Sequence, residues 1–168
     1  MVSEKRKAIF LDRDGVIIAE HGDYTWQEKD IAFNPGIAEA LKWLTDNGFL
    51  LIVISNQGGI GKGLYSIQQA DHINSLISKH LENYGVRFSE FYYCPHHPAS
   101  GKCICRKPDS QLLEKAMARF QLQPENCIFI GDAERDVQAG EKAGVNSVRI
   151  SPNQSLWPLI KEIVDVKH

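Results

Sequence analysis

Residues 49–55, FLLIVIS, form an almost unbroken run of apolar and mostly branched side chains. A strand that is covered on both faces has this composition, because neither face needs polar side chains. Such strands belong to parallel sheets, whose crossover connections place helices over both faces. The run therefore predicts a central strand of an α/β protein.

The segment before this run carries the signals of a strand and a helix. Residues 7–12, KAIFLD, form a short apolar stretch that ends in a carboxylate, which is typical of a buried strand. Asn34 and Pro35 predict the N-cap and the first turn of a helix that Gly48 ends. A polar loop over residues 15–34 joins these two elements.

After the run, predicted strands and helices keep alternating. Ser66 and Gln69 have the spacing of a capping box, which predicts a helix to about residue 83. Further strands are predicted at 91–94, 127–131 and 147–150, further helices at 110–120 and 134–144, and a helix or irregular cover at 155–166. This order predicts one domain over residues 1–168, with a parallel sheet and helices on both faces.

Composition narrows the class of protein. The chain of 168 residues holds 19 Lys plus Arg against 21 Asp plus Glu, so no strong net charge favours nucleic acid or an anionic membrane. The apolar stretch 8–11 is too short for a signal peptide, and no stretch approaches the roughly 18 apolar residues of a membrane span. We therefore expect a cytoplasmic protein, in which clustered cysteines bind metal or catalyse more often than they form disulfides.

Paired acids follow the first predicted strand, at the end of the sheet where α/β proteins bind ligands. They are Asp12 and Asp14, and Gly15 permits a turn that aims both carboxylates into one crevice. Such a pair suits metal binding, or a nucleophile beside a general acid and base. The pattern Asp-x-Asp-Gly is also ordinary turn chemistry, so alone it leaves both interpretations open.

Other strand ends carry a complementary set of polar groups. They are Ser55 and Asn56 after the central strand, Arg106 and Lys107 before a helix, and Asp132 and Asp136 after the strand at 127–131. Hydroxyl, amide and cationic groups suit phosphoryl oxygens, although each residue alone also fits a surface or helix-terminal role. Their joint placement at the carboxyl ends of different strands predicts one convergent site.

A group of cysteines and a histidine lies between the third strand and the next helix. Its members are Cys94, His96, Cys103 and Cys105. Three thiolates and one imidazole are a donor set that structural zinc prefers, although the CxH and CxC spacings are tighter than the usual CxxC. The group predicts a zinc-binding loop over residues 94–105, with ordinary reduced cysteines as the alternative.

The segments FLDRDG, ISNQ, CRKP and IGDAERD resemble, in order and spacing, the four motifs of the haloacid dehalogenase superfamily of phosphohydrolases. The resemblance spans residues 10–136. The dipeptide HG, the loop SNQGGIGKG and the pattern CPHHP followed by CxCRKP are similar to the branch that acts on heptose bisphosphate or histidinol phosphate. The resemblance implies a Rossmann-like domain with a zinc loop, and the segments 15–34 and 92–107 leave no room for a large cap domain.

The resemblance also implies a role for each matched residue. Asp12 is implied as the nucleophile that forms an aspartyl-phosphate, and Asp14 as the acid that protonates the leaving oxygen and then activates water. The implied magnesium ligands, with Asp136 in support, are Asp12, the backbone carbonyl of Asp14, and Asp132. The residues implied to hold the phosphoryl group or touch substrate are Ser55, Asn56, Lys107 and Arg106. The implied ligands of a structural zinc are Cys94, His96, Cys103 and Cys105.

Two small-molecule substrates fit the resemblance, and the sequence leaves both open. For heptose 1,7-bisphosphate, whose 7-phosphate would be removed, Lys62 and Arg106 are candidates to bind the second phosphate. For histidinol phosphate, Glu20 or Asp23 is a candidate to bind the cationic amine. Two departures from the heptose branch are HGDY in place of HGY and Ala133 in place of a basic residue.

Two other classes of protein stand as alternatives: a nucleic-acid end phosphatase, and a binding module that keeps the zinc loop but lacks chemistry. The near-neutral charge argues against the first. The complete set of acidic and basic motif residues argues against the second. The expectation is therefore a monomeric phosphatase that acts on a small molecule, with no nucleic-acid or membrane partner.

Overall fold

Five parallel strands form one sheet in the computed structural model of the protein, which describes residues 5–166. They are β1 (Lys7–Leu11), β2 (Phe49–Asn56), β3 (Phe88–Cys94), β4 (Cys127–Gly131) and β5 (Asn146–Arg149). Their order across the sheet is β3-β2-β1-β4-β5. The chain thus builds outward on one side of β1 and then on the other, which opens a crevice at the carboxyl ends of β1 and β4. Residues 1–4 and 167–168 of the predicted domain lie outside the described residues.

The α-helices cover both faces of this sheet. They are α1 (Ile37–Asp46), α2 (Ile67–Glu82), α3 (Gln111–Phe120), α4 (Glu134–Lys142) and α5 (Trp157–Val166). Ile9 and Leu11 of β1 share one apolar core with residues of α1, α2 and α5. Ala8 and Phe10, which point the other way, share a second core with residues of α3 and α4. The predicted architecture is therefore confirmed.

The apolar run that predicted a central strand is β2, which lies between β1 and β3. Leu51 and Val53 face one core, and Ile52 and Ile54 face the other. All four side chains are at most 1% exposed, so no position on this part of the strand meets water. Burial on both faces explains why the sequence shows no alternation of polar and apolar residues.

The predicted helix start at Asn34 is wrong. The N-cap of α1 is Gly36, which has a left-handed backbone with a φ of 72°. The side-chain amide of Asn34 instead donates hydrogen bonds to the backbone oxygens of Gly15 (3.2 Å) and Val16 (2.8 Å). It therefore holds the turn that follows β1. The predicted capping box of Ser66 and Gln69 is present at α2.

The connections that flank the crevice are short and contain little regular structure. Between β1 and α1 there is one 3-10 turn, Glu28–Asp30, and between β3 and α3 there is another, Pro98–Ser100. Neither connection within the described residues forms a cap domain, as predicted. Among residues 5–166, no helix combines the length and the apolar composition that a bilayer crossing requires.

Candidate active site

Three carboxylates meet at the carboxyl ends of the neighbouring strands β1 and β4. Asp12 follows β1, Asp132 follows β4, and Asp136 lies in the first turn of α4. Oxygen atoms of the three side chains all lie within 4.8 Å of one another. Gly15, at a φ of +92°, packs against Asp132 so closely that a Cβ would overlap its carboxylate. This acidic cluster is the convergent site predicted from the strand ends.

Lys107 places its ammonium group among these acids. Its Nζ lies 3.0 Å from Asp12 Oδ1 and 2.7 Å from Asp136 Oδ1, and it donates to the backbone oxygen of Ile54 at 2.8 Å. The side chain is 1% exposed. A cation this deeply buried is stable only where opposite charges and acceptors surround it.

The side-chain amide of Asn56, which the resemblance assigns to phosphate binding, holds the backbone of Lys107. Its Oδ1 accepts from Lys107 N at 3.0 Å, and its Nδ2 donates to Lys107 O at 3.2 Å. Both ends of the amide are thus engaged with the residue that carries the cation. In this geometry Asn56 positions Lys107.

The charges in the cluster do not balance. Burial raises the pKa of Asp12 well above its ordinary value, and Lys107 only partly offsets this effect. The pKa of Asp132 is also raised, by burial first and then by the Asp136 carboxylate. Burial lowers the pKa of Lys107, but Asp12 and Asp136 outweigh burial and raise it overall. Three acids beside one ammonium group favour the binding of a further cation.

The cluster fits a hard divalent cation such as magnesium, which prefers carboxylate oxygens. Asp12 and Asp132 face each other across the crevice, as the implied ligands should. Asp136 has both oxygens engaged, since Oδ2 accepts from the backbone N–H groups of Asp132 and Ala133, each at 3.1 Å, and Oδ1 pairs with Lys107. Asp136 is thus suited to the supporting position assigned to it.

The side chain of Asp14 points away from this cluster, toward Arg13 and Gln57. Arg13 Nη2 lies 3.1 Å from Asp14 Oδ2, and Gln57 Nε2 donates to the same oxygen at 3.0 Å. Ser55 Oγ accepts from Gln57 Nε2 at 2.7 Å. The Asp14 side chain is 29% exposed, whereas Arg13 and Gln57 are buried. Asp14 can therefore reach a ligand in the crevice while its other side is held by the protein.

The cysteine and histidine residues of the predicted zinc loop also converge. Sγ of Cys94 lies 3.0 Å from Sγ of Cys105 and 3.7 Å from Sγ of Cys103, and His96 Nδ1 lies 3.2 Å from Sγ of Cys105. Tetrahedral ligands at zinc–sulfur bonds of about 2.3 Å would be about 3.8 Å apart. Burial and hydrogen bonding to Cys105 raise the pKa of the Cys94 thiol, so zinc binding there would release a proton. The four residues fit a structural zinc ion.

The two remaining predicted cations lie at the junction of the glycine-rich loop and the zinc loop. Arg106 Nη1 donates to the backbone oxygen of His96 at 3.3 Å, and Lys62 Nζ lies 5.7 Å from the ring centre of Tyr24. Burial, and then the charges of Lys62 and Arg106, lower the pKa of His97. Arg106 lines a groove of about 470 Å³, together with residues that include His97, Lys102 and Lys107. Asp109 also lines this groove, and the charge of Lys107 is buried against Asp12 and Asp136, so Lys102 and Arg106 give the wall its excess of positive charge.

Glu20 and Asp23, the candidates for binding an amine, are engaged with their own loop. Glu20 Oε1 accepts from the backbone N–H of Gly22 at 2.5 Å, and Asp23 Oδ1 accepts from that of Tyr24 at 2.8 Å. Both side chains are exposed. Their carboxylates stabilise the loop turn.

Comparison with known proteins identifies the family. A model of the haloacid dehalogenase-like hydrolases matches residues 11–144, which include every acidic and basic residue of the site described above. The chain belongs to the haloacid dehalogenase-like hydrolases. Its predicted family is thereby confirmed.

Relatives within this hydrolase family are named as heptose bisphosphate phosphatases. D-glycero-beta-D-manno-heptose-1,7-bisphosphate 7-phosphatase of Haemophilus ducreyi is 39% identical over 148 residues, which cover 84% of this chain and 81% of the relative. D-glycero-alpha-D-manno-heptose-1,7-bisphosphate 7-phosphatase of Photorhabdus laumondii is 34% identical over 151 residues, covering 86% and 82%. These names, together with the family, confirm the prediction that the chain is a phosphatase.

A solved structure in the same family has the same fold. The D,D-heptose 1,7-bisphosphate phosphatase of B. bronchiseptica, crystallised with magnesium and phosphate, superposes with a TM-score of 0.82. It is 22% identical, and the match covers 95% of this chain and 99% of the other. The likeness confirms the hydrolase fold of the described residues.

Two residues of this hydrolase site were missed by the sequence analysis, Arg13 and Gln57. Both are polar residues that lie within the motifs, next to predicted site residues. A single sequence gives no sign that they are buried. Arg13 is 1% exposed and also contacts Asn74 Oδ1 at 3.1 Å and the backbone oxygen of Thr25 at 3.0 Å. Their position beside Asp14 depends on how the strands lie next to one another in the sheet, which the sequence alone does not show.

Proposed function

We propose that the protein is a magnesium-dependent phosphatase that removes the 7-phosphate of D-glycero-D-manno-heptose 1,7-bisphosphate through an aspartyl-phosphate. The observation that carries this proposal is the pairing of Asp12 with Lys107 beside Asp132, at the carboxyl ends of β1 and β4. Such a site combines a nucleophile, a fixed cation and a place for a metal ion, as phosphoryl transfer requires.

The chemistry divides into two steps. In the first, a carboxylate oxygen of Asp12 bonds to phosphorus, the bond from phosphorus to the sugar oxygen breaks, and Asp14 gives that oxygen a proton. In the second, Asp14 takes a proton from water, the water oxygen bonds to phosphorus, and the bond to Asp12 breaks. Inorganic phosphate leaves and both side chains return to their starting state.

The remaining residues stabilise charge and fix positions. Lys107 neutralises charge on the phosphoryl oxygens as a point charge next to Asp12, and Asn56 fixes its backbone. Ser55, buried at the end of β2, is the candidate hydroxyl donor to the phosphoryl group. Asp12, Asp132 and the Asp14 carbonyl would hold magnesium, which would supply electrostatic stabilisation of the phosphoryl group.

The electropositive groove supports a substrate with a second phosphate. Arg106 lines it, Lys62 lies close enough to the lining residue His97 to lower its pKa, and the volume of about 470 Å³ is within the usual range for small-molecule sites. Relatives at 39% and 34% identity are named for heptose 1,7-bisphosphate of either anomer. Histidinol phosphate is less well supported, because the carboxylates of Glu20 and Asp23 are bonded to their own loop.

The proposal extends to the zinc loop, to the compartment and to the oligomeric state of the protein. Zinc on Cys94, His96, Cys103 and Cys105 would fix one wall of the groove without taking part in the reaction. No disulfide joins any of the cysteines of the described residues, which suits the reducing cytoplasm. We propose a monomer in which residues 1–168 form one domain.

The test is phosphate release from a panel of substrates, with and without magnesium. The panel contains both anomers of heptose 1,7-bisphosphate, histidinol phosphate and a nucleic acid with a terminal phosphate. We expect the highest kcat/KM with a heptose bisphosphate, and none without magnesium. A higher kcat/KM for histidinol phosphate or for the nucleic acid would overturn the proposed substrate.

A variant tests the assignment of the nucleophile. Asp12→Asn removes the attacking carboxylate at nearly constant volume, so turnover should fall to background while the circular dichroism spectrum stays that of the wild type. Retention of near wild-type rates would show that Asp12 is not the nucleophile. Asp46→Asn, an exposed change on α1 outside the cluster and the groove, is the control and should keep its activity.

A further inference from the structure

Gln57 is a buried polar residue that the proposed reaction does not use. It follows β2 directly and is 1% exposed. Its Oε1 accepts from Tyr65 Oη at 2.6 Å and from Arg13 Nη2 at 3.3 Å. Its Nε2 donates to Asp14 Oδ2 at 3.0 Å and to Ser55 Oγ at 2.7 Å. Both ends of one amide are therefore engaged.

These partners allow only one orientation of the amide. The guanidinium of Arg13 has donors and no acceptor, so only the oxygen of the amide can face it. A flipped amide would set its NH₂ group against the donors of Arg13 and Tyr65, and that contact would be repulsive. The hydroxyl of Tyr65, which is 5% exposed, adds a second donor to Oε1. The Gln57 donor is thus aimed at Asp14 by the charges around it.

Arg13 and Gln57 both bond to Asp14, but they come from different parts of the chain, and Gln57 therefore has a role that differs from that of Arg13. Arg13 and Asp14 share one turn, so their mutual contact cannot fix that turn relative to the sheet. Gln57 is anchored elsewhere, because its backbone N–H donates to the Cys94 oxygen at the end of β3 at 2.8 Å. A hydrogen bond from Gln57 therefore ties the Asp14 carboxyl group to the β2 and β3 side of the sheet.

We infer that Gln57 is a positioning residue: its amide, oriented by Arg13 and Tyr65, holds the Asp14 carboxyl group at the distance needed for proton transfer to the leaving oxygen. The inference rests on the proposed function for the role of Asp14. Gln57 itself exchanges no proton and forms no bond with substrate. Its effect must therefore be largest in the step that Asp14 assists.

Substrates whose leaving groups differ in basicity distinguish the loss of this positioning role from a general loss of structure. An alkyl or sugar oxygen needs a proton as it leaves, whereas p-nitrophenolate leaves as an anion without one. The value of kcat/KM reports the steps up to the first phosphoryl transfer, so it isolates proton donation from the later attack of water. Gln57→Leu should lower kcat/KM for an alkyl phosphate by about 10- to 100-fold, up to the lower end of the roughly 10²- to 10⁴-fold that general acid catalysis contributes. The value for p-nitrophenyl phosphate should change by less than about threefold.

Two further variants vary the network without removing the side chain. Gln57→Glu keeps an acceptor for Tyr65 and Arg13 but removes the N–H donor to Asp14, so it should also lower kcat/KM for the alkyl phosphate. Tyr65→Phe keeps the ring and removes the hydroxyl that donates to Oε1. It should lower the same kcat/KM by a smaller factor, and it remains informative if Gln57→Leu does not fold.

Gln138→Leu and Gln138→Glu on the exposed face of α4 are matched controls and should leave both kcat/KM values unchanged. Equal losses on the two phosphates, or no loss on either, would overturn the inference. Failure of the wild type to hydrolyse any phosphate ester with magnesium would instead overturn the proposed function. In that case crystal structures of wild type and Tyr65→Phe decide the inference, since an unmoved Asp14 carboxyl group would contradict it.

Discussion

The ammonium group of Lys107 lies between two buried carboxylates, 3.0 Å from Asp12 and 2.7 Å from Asp136. Each group is stable inside the protein because the others are there: removing one leaves an opposite charge buried without a partner. The same arrangement aims the ammonium at a phosphoryl group bound next to Asp12. One side chain thus affects both the free energy of unfolding and the proposed reaction.

Lys107→Met should abolish turnover and lower the free energy of unfolding by about 3–5 kcal/mol, because it leaves two buried carboxylates uncompensated. Urea unfolding measures the change. Magnesium should restore part of the stability and none of the turnover, since it compensates charge without replacing the ammonium. Lys142→Met, which breaks an exposed pair with Asp109, should cost no more than about 1 kcal/mol. Equal losses in the two variants would contradict this account.

At the scale of elements, the glycine-rich loop and the zinc loop are packed together. A Cβ on Gly61 would lie 2.7 Å from the backbone nitrogen of His97, and Ser100 Oγ donates to the Gly61 oxygen at 3.1 Å. Arg106 bonds to the His96 oxygen on the same side. The position of the groove wall therefore depends on the contact between two loops that follow different strands.

Gly61→Ala should push the two loops apart and lower kcat/KM for the bisphosphate, by up to about 100-fold if the wall moves by an ångström. Its zinc content should stay unchanged, because no zinc ligand is altered. Gly63→Ala is the matched control, since a Cβ there meets nothing within 4 Å, although its φ of +75° adds backbone strain. Similar kinetics for the two variants would show that the loop contact does not shape the groove.

Cys103→Ser should remove zinc and lower activity, because the loop that leads to Arg106 and Lys107 would lose its order. Binding of magnesium at Asp12 and Asp132, measured by calorimetry, should survive, since those residues lie on other strands. Cys127→Ser in β4, outside the cluster, should keep its zinc. Full activity in a Cys103→Ser protein that lacks zinc would refute the link between zinc and the site.

At the scale of the whole molecule, the sheet keeps the two candidate metal sites separate. The acidic cluster follows β1 and β4, and the zinc cluster follows β3, at the edge of the sheet. Apart from the zinc ligands Cys94, Cys103 and Cys105, which belong to or pack against the second core, the side chains of the two apolar cores include no proposed metal ligand. Removal of one metal should therefore change its own site and leave the remainder folded.

Elemental analysis of protein purified without added metal should find about one zinc per chain. After removal of zinc, trypsin should cleave after Lys102, in the middle of the released loop, while circular dichroism still shows the folded domain. Removal of magnesium alone should stop activity reversibly and leave Lys102 protected. Zinc-free protein that resists cleavage at Lys102 would show that the loop is ordered without metal.

Much of the fold could be predicted from the sequence, because its signals are local. The run at 49–55 has no polar side chain before Ser55, which favours a strand buried on both faces. Ser66 and Gln69 lie one helical turn apart, so their capping box needs no distant partner. The ends of the strands also located Asp12, Lys107 and Asp132, since parallel strands bring their carboxyl ends together.

The helix cap and the site contacts that the sequence did not predict depend on side-chain directions, which only the tertiary structure decides. The sequence by itself determined the order of strands and helices, the family motifs and the donor set of the zinc loop. Asn34 was predicted to cap a helix, but a short polar side chain next to a proline can equally bond a distant turn, as it does at Gly15 and Val16. The pairing of Asn56 with Lys107, and of Gln57 with Asp14, spans residues far apart in the chain. Those contacts follow from the register of β1, β2 and β3, because it sets which polar groups meet at the strand ends.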